Sequence, residues 1–406
     1  MGVIFATLAV VSSFGIGCMN QSNTVAVSAA SDFRAPDWLV GLILAFLVGL
    51  VILGGIKRIG AVSSKLMPAM AVLYVVSAIY ILLSHPAKLP GLFTLIIAEA
   101  WRPKAAFGGT AAGVWHLTLL WGIKRALFSN EAGMGSAPIA HAAAKTKEPV
   151  REGVVAMVGP FVDTLLICTL TGLVIIATGV WNQKKDDLRA LSTNKISVYA
   201  DPGHKVDDIY LHKSVASLKL FKGTTVVENG KAEGILFEVN DGFVDNPVLI
   251  KNGNHYSGNF ILDGNTIKND KGEILKLHIK GKMLQNSSAL TAWAFYKGFI
   301  HVGHFGNLIV TICVFLFGLS TMISWSYYGD RCVEYLLGVK YVIVYRAIYV
   351  CFVYLGAVLA LETVWAYGDM ALGLMAVPNL IAVLLLSPKV AKLTKDYFSR
   401  EHKMYK

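Results

Sequence analysis

FSNEAGMGSAP, residues 128–138, interrupts one of the most apolar stretches of the chain. The flanks are apolar or small, as a membrane helix requires, yet the centre holds Ser129, Asn130, Glu131, Gly133, Gly135 and Ser136. Peptide groups in hydrocarbon must be paired, so non-helical chain at mid-depth survives only where protein or a water-filled cavity surrounds it. Gly133 and Gly135 loosen the helix, and Pro138 suits the first turn of a restarted one. The stretch predicts a span over about 114–144 that is broken into two half-helices near the bilayer centre.

The rest of the chain sets the context. Its 406 residues are 55% hydrophobic and 16% charged, with a mean hydropathy of +0.56, too apolar for an ordinary soluble protein. Runs such as Leu39 to Ile56 and Leu66 to Leu83 approach the roughly 20 residues needed to cross about 30 Å of hydrocarbon. The pattern predicts an all-α polytopic membrane protein with eight spans: 3–29, 39–56, 66–83, 114–144, 152–180, 305–327, 346–366 and 372–388. LPGLFTLIIAEAW (89–101) is too short to cross and carries Glu99, which predicts an interfacial helix.

Between two spans lies 182–298, rich in Lys, Asp, Asn and Gly, with alternating runs such as SLKLF and ILFEVN and turn pairs at Asn229-Gly230, Asp241-Gly242 and Asp263-Gly264. It reads as a β-rich insertion, a spacer or partner-binding module. The expected organisation is a membrane core of 1–181 and 299–393, the insertion 182–298, and a basic tail 394–406. The N-terminus, MGVIFATLAVVSSFGIGCMNQSN, lacks a basic leader region and a small-residue cleavage site, so it reads as a helix start rather than a signal peptide.

Net charge is +11, but the basic residues are not interleaved with aromatics in a nucleic-acid pattern; they sit in loops and the tail. One set of loops holds Lys57, Arg58, Lys65, Lys145, Lys147, Arg151, Arg331, Lys340 and Arg346, and the tail adds six more. The opposite set holds Arg34, Lys88, Arg102 and Lys104, with none beside Asp369. Cytoplasmic loops collect Lys and Arg, so the C-terminus is expected in the cytoplasm and the insertion outside a cytoplasmic (inner) membrane. The five cysteines lie in or beside apolar helices and suggest neither a disulfide framework nor a metal site.

A broken helix presents free carbonyls at the end of its first half and free N–H groups at the start of its second, suiting a cation and a carboxylate respectively. An amino acid zwitterion with a small cation fits both ends; the competing reading is a glycine kink that aids packing. Lys124 and Arg125 precede the break by less than two turns, and intramembrane charges are expensive enough to be functional. Glu131 is the expected partner of Arg125, as a gating pair or as a structural one.

Elsewhere polar residues are sparse. Phe14, Gly15, Gly17, Asn20, Gln21 and Asn23 form a small, amide-rich patch on the first span, for close packing or for a site. Asp163 and Thr164 are the strongly polar pair of the fifth, an ion or hydrogen-bond post. Ser320 and Thr321 are adjacent hydroxyls on the sixth; they either bond back to their own helix or serve as hard oxygen ligands for an alkali cation. Trp325, four residues after Thr321, shares its face and would wall in a small side chain. No nucleophile–base pair, nucleotide loop or zinc spacing appears, and GIG at 15–17 lies inside a membrane helix, so an enzyme is not expected.

GIKRALFSNEAGMGSAPIAHAAAKT, GPFVDTLLICTLTGLVI, STMISWSYYGDRCVEYLLG, GLMAVPNLIAVLLLSP and FGIGCMNQSN together resemble the alanine or glycine:cation symporter family, the sodium:alanine symporters. The resemblance covers the chain outside about 182–298. It implies a leucine-transporter-like fold of two inverted five-helix repeats, in which 1–181 supplies core helices three to seven and 299–393 helices eight to ten. It places substrate near Phe14, Gln21, Gly133 and Trp325, and sodium, the coupling ion, near Ser320, Thr321 and Asp163 or Thr164. Cys18 stands where the family usually has asparagine and Ala126 where it has glycine, and the family's first two core helices have no counterpart here.

The expected activity is sodium-coupled symport of a small neutral amino acid, alanine or glycine, by alternating access, with no organic cofactor. Two alternatives stand: a fragment that is inert unless a separate chain supplies the missing N-terminal helices, and a membrane-anchored module whose insertion binds an external partner.

Overall fold

The computed structural model describes residues 1–100, 115–131, 133–191, 196–200, 220–221, 223–239, 242–263, 266–269 and 272–400. The apolar runs form helices: α1 (Gly2–Phe33), α2 (Asp37–Ile52), α3 (Gly55–Leu83), α4 (Leu89–Ala100), α5 (Trp115–Asn130), α6 (Ser136–His141) and α7 (Pro149–Thr178) precede the strands. After them come α8 (Ser287–Gly298), α9 (Gly306–Leu337), α10 (Val342–Val358) and α11 (Leu361–Phe398). Among the described residues six helices are long and apolar enough to cross a membrane, against the eight spans expected. The difference arises because α2 is 16 residues long, about 24 Å, and the α5–α6 pair is broken.

The helices pack through their small and buried faces. Cys18 and Ala26 of α1, Leu44 and Val48 of α2, Met322 and Ile323 of α9, and Tyr349 and Val353 of α10 form one core. A second joins α3, α7, α8 and α9 through Ile81, Val174, Phe295 and Cys313. The opposite faces stay apolar and open, with Phe46, Leu83, Leu384 and Leu385 all more than 60% exposed. Bare Leu and Phe side chains that water would penalise suit lipid.

Among the described residues two helices contain π segments. In α1 the π turn Gly15–Met19 frees a carbonyl, and Gln21 Nε2 donates to Ile16 O across 3.3 Å. In α7 a longer π stretch covers Phe161–Cys168. Such bulges often sit at functional positions. The amide patch of α1 serves packing in part: Asn23 Nδ2 donates to Gly356 O (2.9 Å) and Leu359 O (3.0 Å), closing the end of α10.

Several boundaries differ from expectation, and two of them change which residues meet. The last two spans part at Leu359–Ala360, not near Asp369, so Asp369 is a helical residue of α11 rather than a loop residue. Residues 287–298, assigned by composition to the insertion, form α8, with Trp293 and Phe295 buried among α3, α7 and α9. α8 meets α9 so closely that a methyl group on Gly306 would stand 2.2 Å from Phe295 O.

The insertion itself is antiparallel. β1 (Lys184–Ala190), β11 (His278–Leu284), β7 (Asp245–Lys251) and β8 (Asn254–His255) make one sheet. β10 (Thr266–Lys268), β9 (Gly258–Asp263), β3 (Gly223–Glu228) and β4 (Lys231–Ala232) make a second. β2 (Ile196–Ala200), β5 (Ile235–Val239) and β6 (Gly242–Phe243) make a third. Val198, Phe237, Leu249, Phe260 and Ile279 fill the space between them as a core separate from the helices.

Candidate functional site at the broken helix

α5 stops at Asn130, and α6 begins at Ser136. Between them Glu131, Gly133 and Gly135 have φ of +52°, +81° and +88°, left-handed geometry that a helix cannot contain. Glycine adopts it freely; glutamate pays on the order of 1 kcal/mol. Glu131 is held there by its carboxyl group: Ser136 Oγ donates to Oε2 (2.7 Å) and Trp325 Nε1 to Oε1 (3.0 Å). Gly135 admits no side chain, since a methyl group there would lie 2.7 Å from both Asn379 Oδ1 and Phe5 Cε2. Asn379 Nδ2 donates to Gly133 O across 2.9 Å, and Met134 beside it is fully buried.

Trp325 of α9 forms the facing wall. Its ring system rests on the π turn of α1, where a methyl group on Gly17 would come within 2.2 Å of Trp325 Cβ. Buried Ala6, Ala9, Ile16, Met134, Leu372 and Met375 surround this contact. The structure thus brings together four expected residues, Glu131, Gly133, Gly135 and Trp325, from elements almost 200 positions apart.

The other expected residues are distributed around this centre. The side chains of Ser129 and Asn130 lie outside the described residues. Phe14 packs in an aromatic cluster with Phe352 (4.7 Å between ring centres) and Tyr345 (5.3 Å). Ser320, 2% exposed, and half-buried Thr321 lie about a turn before Trp325 on α9. Asp163 lies on the π stretch of α7 within electrostatic reach of Glu131. Thr164 lines an open groove of about 540 Å³ with Ile123, Leu127 and Phe161.

The expected Arg125–Glu131 pair is replaced by another. Arg125 Nη2 donates to Asp369 Oδ1 and Lys124 Nζ to Oδ2, each at 3.2 Å. The Arg125 guanidinium also lies 4.9 Å from the Trp365 ring centre and 5.4 Å from that of Phe128. Sequence reasoning missed Asp369 because it assigned that residue to a turn. It missed Asn379 too, although a lone amide after a proline in VPNLIAVLLL was a usable signal.

Among the described residues no group of three or more His, Cys, Asp or Glu is gathered. The donors near the break are hydroxyl, carbonyl and carboxyl oxygens, hard ligands suited to an alkali cation.

Comparison with known proteins adds the decisive observation: the model of the sodium:alanine symporter family matches residues 1–231 and 274–406. The chain belongs to the sodium:alanine symporter family. The stretch left unmatched, 232–273, falls inside the segment 182–298, so the family match runs further into that segment than the motif resemblance did.

This family member is 33% identical over 400 residues to a sodium/alanine symporter of Methanococcus maripaludis, covering 98% of the chain and 65% of the relative. It is 33% identical over 398 residues to an uncharacterized transporter of Haemophilus influenzae, with the same coverages. A probable sodium/glutamine symporter of Bacillus subtilis is 28% identical over 399 residues, covering 98% of the chain and 61% of the relative. The chain therefore spans just under two thirds of the length of these relatives. It is an integral membrane member of a transporter family, not an enzyme.

Proposed function

We propose that the chain forms the main part of a sodium-coupled symporter for small neutral amino acids, alanine or glycine first. The observation that carries this reading is the break at Glu131–Gly135, roofed by Trp325. An unwound segment offers peptide N–H groups at the start of α6 to a carboxylate, and Trp325 closes the space against a large side chain. Sodium falls to Ser320 and Thr321, with Asp163 or Thr164 as a further oxygen donor; Phe14 and Gln21 of α1 complete the substrate side. Ion binding favours the conformation that binds the amino acid, and rocking of one helix group against the other exposes the site alternately. The excess of Lys and Arg in the connections and adjoining helix ends of one side supports a cytoplasmic C-terminus and an external insertion.

The purified chain should melt at a higher temperature when alanine and sodium are added together, with glycine similar and leucine weaker, because a ligand bound by the folded state alone stabilises it by mass action. Labelled alanine uptake that persists undiminished when choline replaces sodium would remove the coupling.

A second reading rests on the chain spanning just under two thirds of its relatives' length. In it the pocket is finished by helices outside residues 1–406, and uptake appears only when they are present.

A further inference from the structure

α11 touches the broken helix at two points ten residues apart, about 15 Å along its axis. Asp369 takes one bond from Lys124 and one from Arg125, a turn or more before the break. Asn379 binds Gly133 O inside the break and packs its amide oxygen over Gly135. Between them stands Pro378, itself buried. Proline has no N–H, so the carbonyl of Leu374 loses its helical donor there, and α11 has a point of easy bending between its two attachments.

The attachments differ in how readily they release. The side chains of Lys124, Arg125 and Asp369 keep 34%, 41% and 16% of their surface uncovered, and intramembrane charges face a water-filled cavity or the bundle interior, so this shared ion pair lies open to an exchange of partners. Arg125 remains positioned against Phe128 and Trp365 when the carboxylate leaves, ready to receive it again. The Asn379–Gly133 bond is partly buried beside fully buried Met134, and its loss leaves the Gly133 carbonyl without its side-chain donor.

We propose that Asp369 and Asn379 are positioning residues that couple α11 to the transport site: Asn379 holds the unwound segment in shape throughout the cycle, while Asp369 is a releasable latch. Bending at Pro378 swings Asp369 away from Lys124 and Arg125 and opens the break, with Asn379 as the fixed end. The proposal rests on the symporter reading for its transport consequences, but the latch itself is read without them.

The test uses the full chain in liposomes, with its five cysteines replaced and a thiol introduced by Met134→Cys. Asp369→Asn should raise the rate of labelling by a water-soluble maleimide about fivefold, as expected when an open state gains population. Asp369→Glu, which keeps the charge, should return it to within about twofold of the parent. In uptake, Asp369→Asn should change the maximal rate about fivefold with KM nearly constant, whereas Asn379→Ala should raise KM about tenfold.

Unchanged labelling in Asp369→Asn, or a Glu variant as open as the Asn one, overturns the latch. So does an Asp369→Asn variant altered in KM alone, which would place Asp369 at the substrate. An Asn379→Ala variant with the parent's KM overturns the fixed end. A parent chain that labels and responds as described but shows no sodium-dependent alanine uptake or binding sinks the symporter reading and leaves the latch standing.

Discussion

Lys184 and Leu284, one hundred positions apart, stand directly opposite each other in the ladder of β1 and β11. The ladder continues through seven paired residues to Ala190 and His278. The strand region thus leaves the membrane helices and returns to them at one point, with paired Cα atoms about 5 Å apart. Its core shares no residue with the helical cores.

Excision follows that anatomy. Replacing 184–284 by a short flexible link should leave sodium-dependent alanine uptake within about twofold, because the closure bridges only one strand spacing. Extending the cut to 298 should abolish expression of folded protein, since Trp293 and Phe295 fill the core between α3, α7 and α9. Measuring uptake and the detergent-solubilised monodisperse fraction of both deletions decides the matter; uptake lost with the shorter cut would make the strands part of the transport machinery.

Trp325 is both roof and restraint. Trp325→Phe keeps the ring but removes the donor to Glu131 Oε1, leaving a buried carboxyl oxygen short of a partner at roughly 1–3 kcal/mol. Uptake should fall about tenfold or more as Glu131 leaves its left-handed geometry. Trp325→Ala should be worse and should also lower the melting temperature. Retention of full uptake by the Phe variant would show that the bond is dispensable.

The hydroxyl pair makes a separate claim. Ser320→Ala and Thr321→Ala should each raise the sodium concentration for half-maximal uptake about tenfold, while the alanine requirement at saturating sodium stays nearly unchanged. Sodium titrations at several alanine concentrations check this. A shift in alanine affinity with normal sodium dependence would assign these hydroxyls to the substrate.

Asp330 and Arg346 form a two-pronged ion pair between α9 and α10, with contacts of 3.1 Å from Nε and 2.6 Å from Nη2, and Asp330 is 1% exposed. Arg346→Leu strands that carboxylate and should destabilise the protein by about 3–5 kcal/mol. Arg346→Lys should recover only part, because an ammonium cannot reproduce the planar fork. Thermal unfolding of the two variants in the same detergent gives the comparison.

How much was legible varies with the range of the interaction. Apolar runs, the interruption at Gly133 and Gly135, and the turn pairs of the strand region are local, and hydrocarbon or a tight turn punishes any other local reading. The register of α11 was not legible: Asp369 in a stretch of Gly, Ala and aromatic residues looks like a loop until its cations are found on α5. Nor was α8, whose SSALTAWAFYKG is too short and too mixed to declare itself beside the polar strands.

The chain's own order of residues determined that it lives in a membrane and that one helix must part near its middle, because each helix meets the solvent energy of lipid by itself. Which groups meet at the parting was decided only by packing. Glu131 had Arg125 six positions away and is bound instead to Trp325 almost two hundred positions on, while Arg125 is bound to Asp369. Hydrogen-bond and ion-pair partners are chosen by distance in space, and in a helical bundle that distance is set by how small residues such as Gly17, Gly306 and Gly356 let whole helices approach.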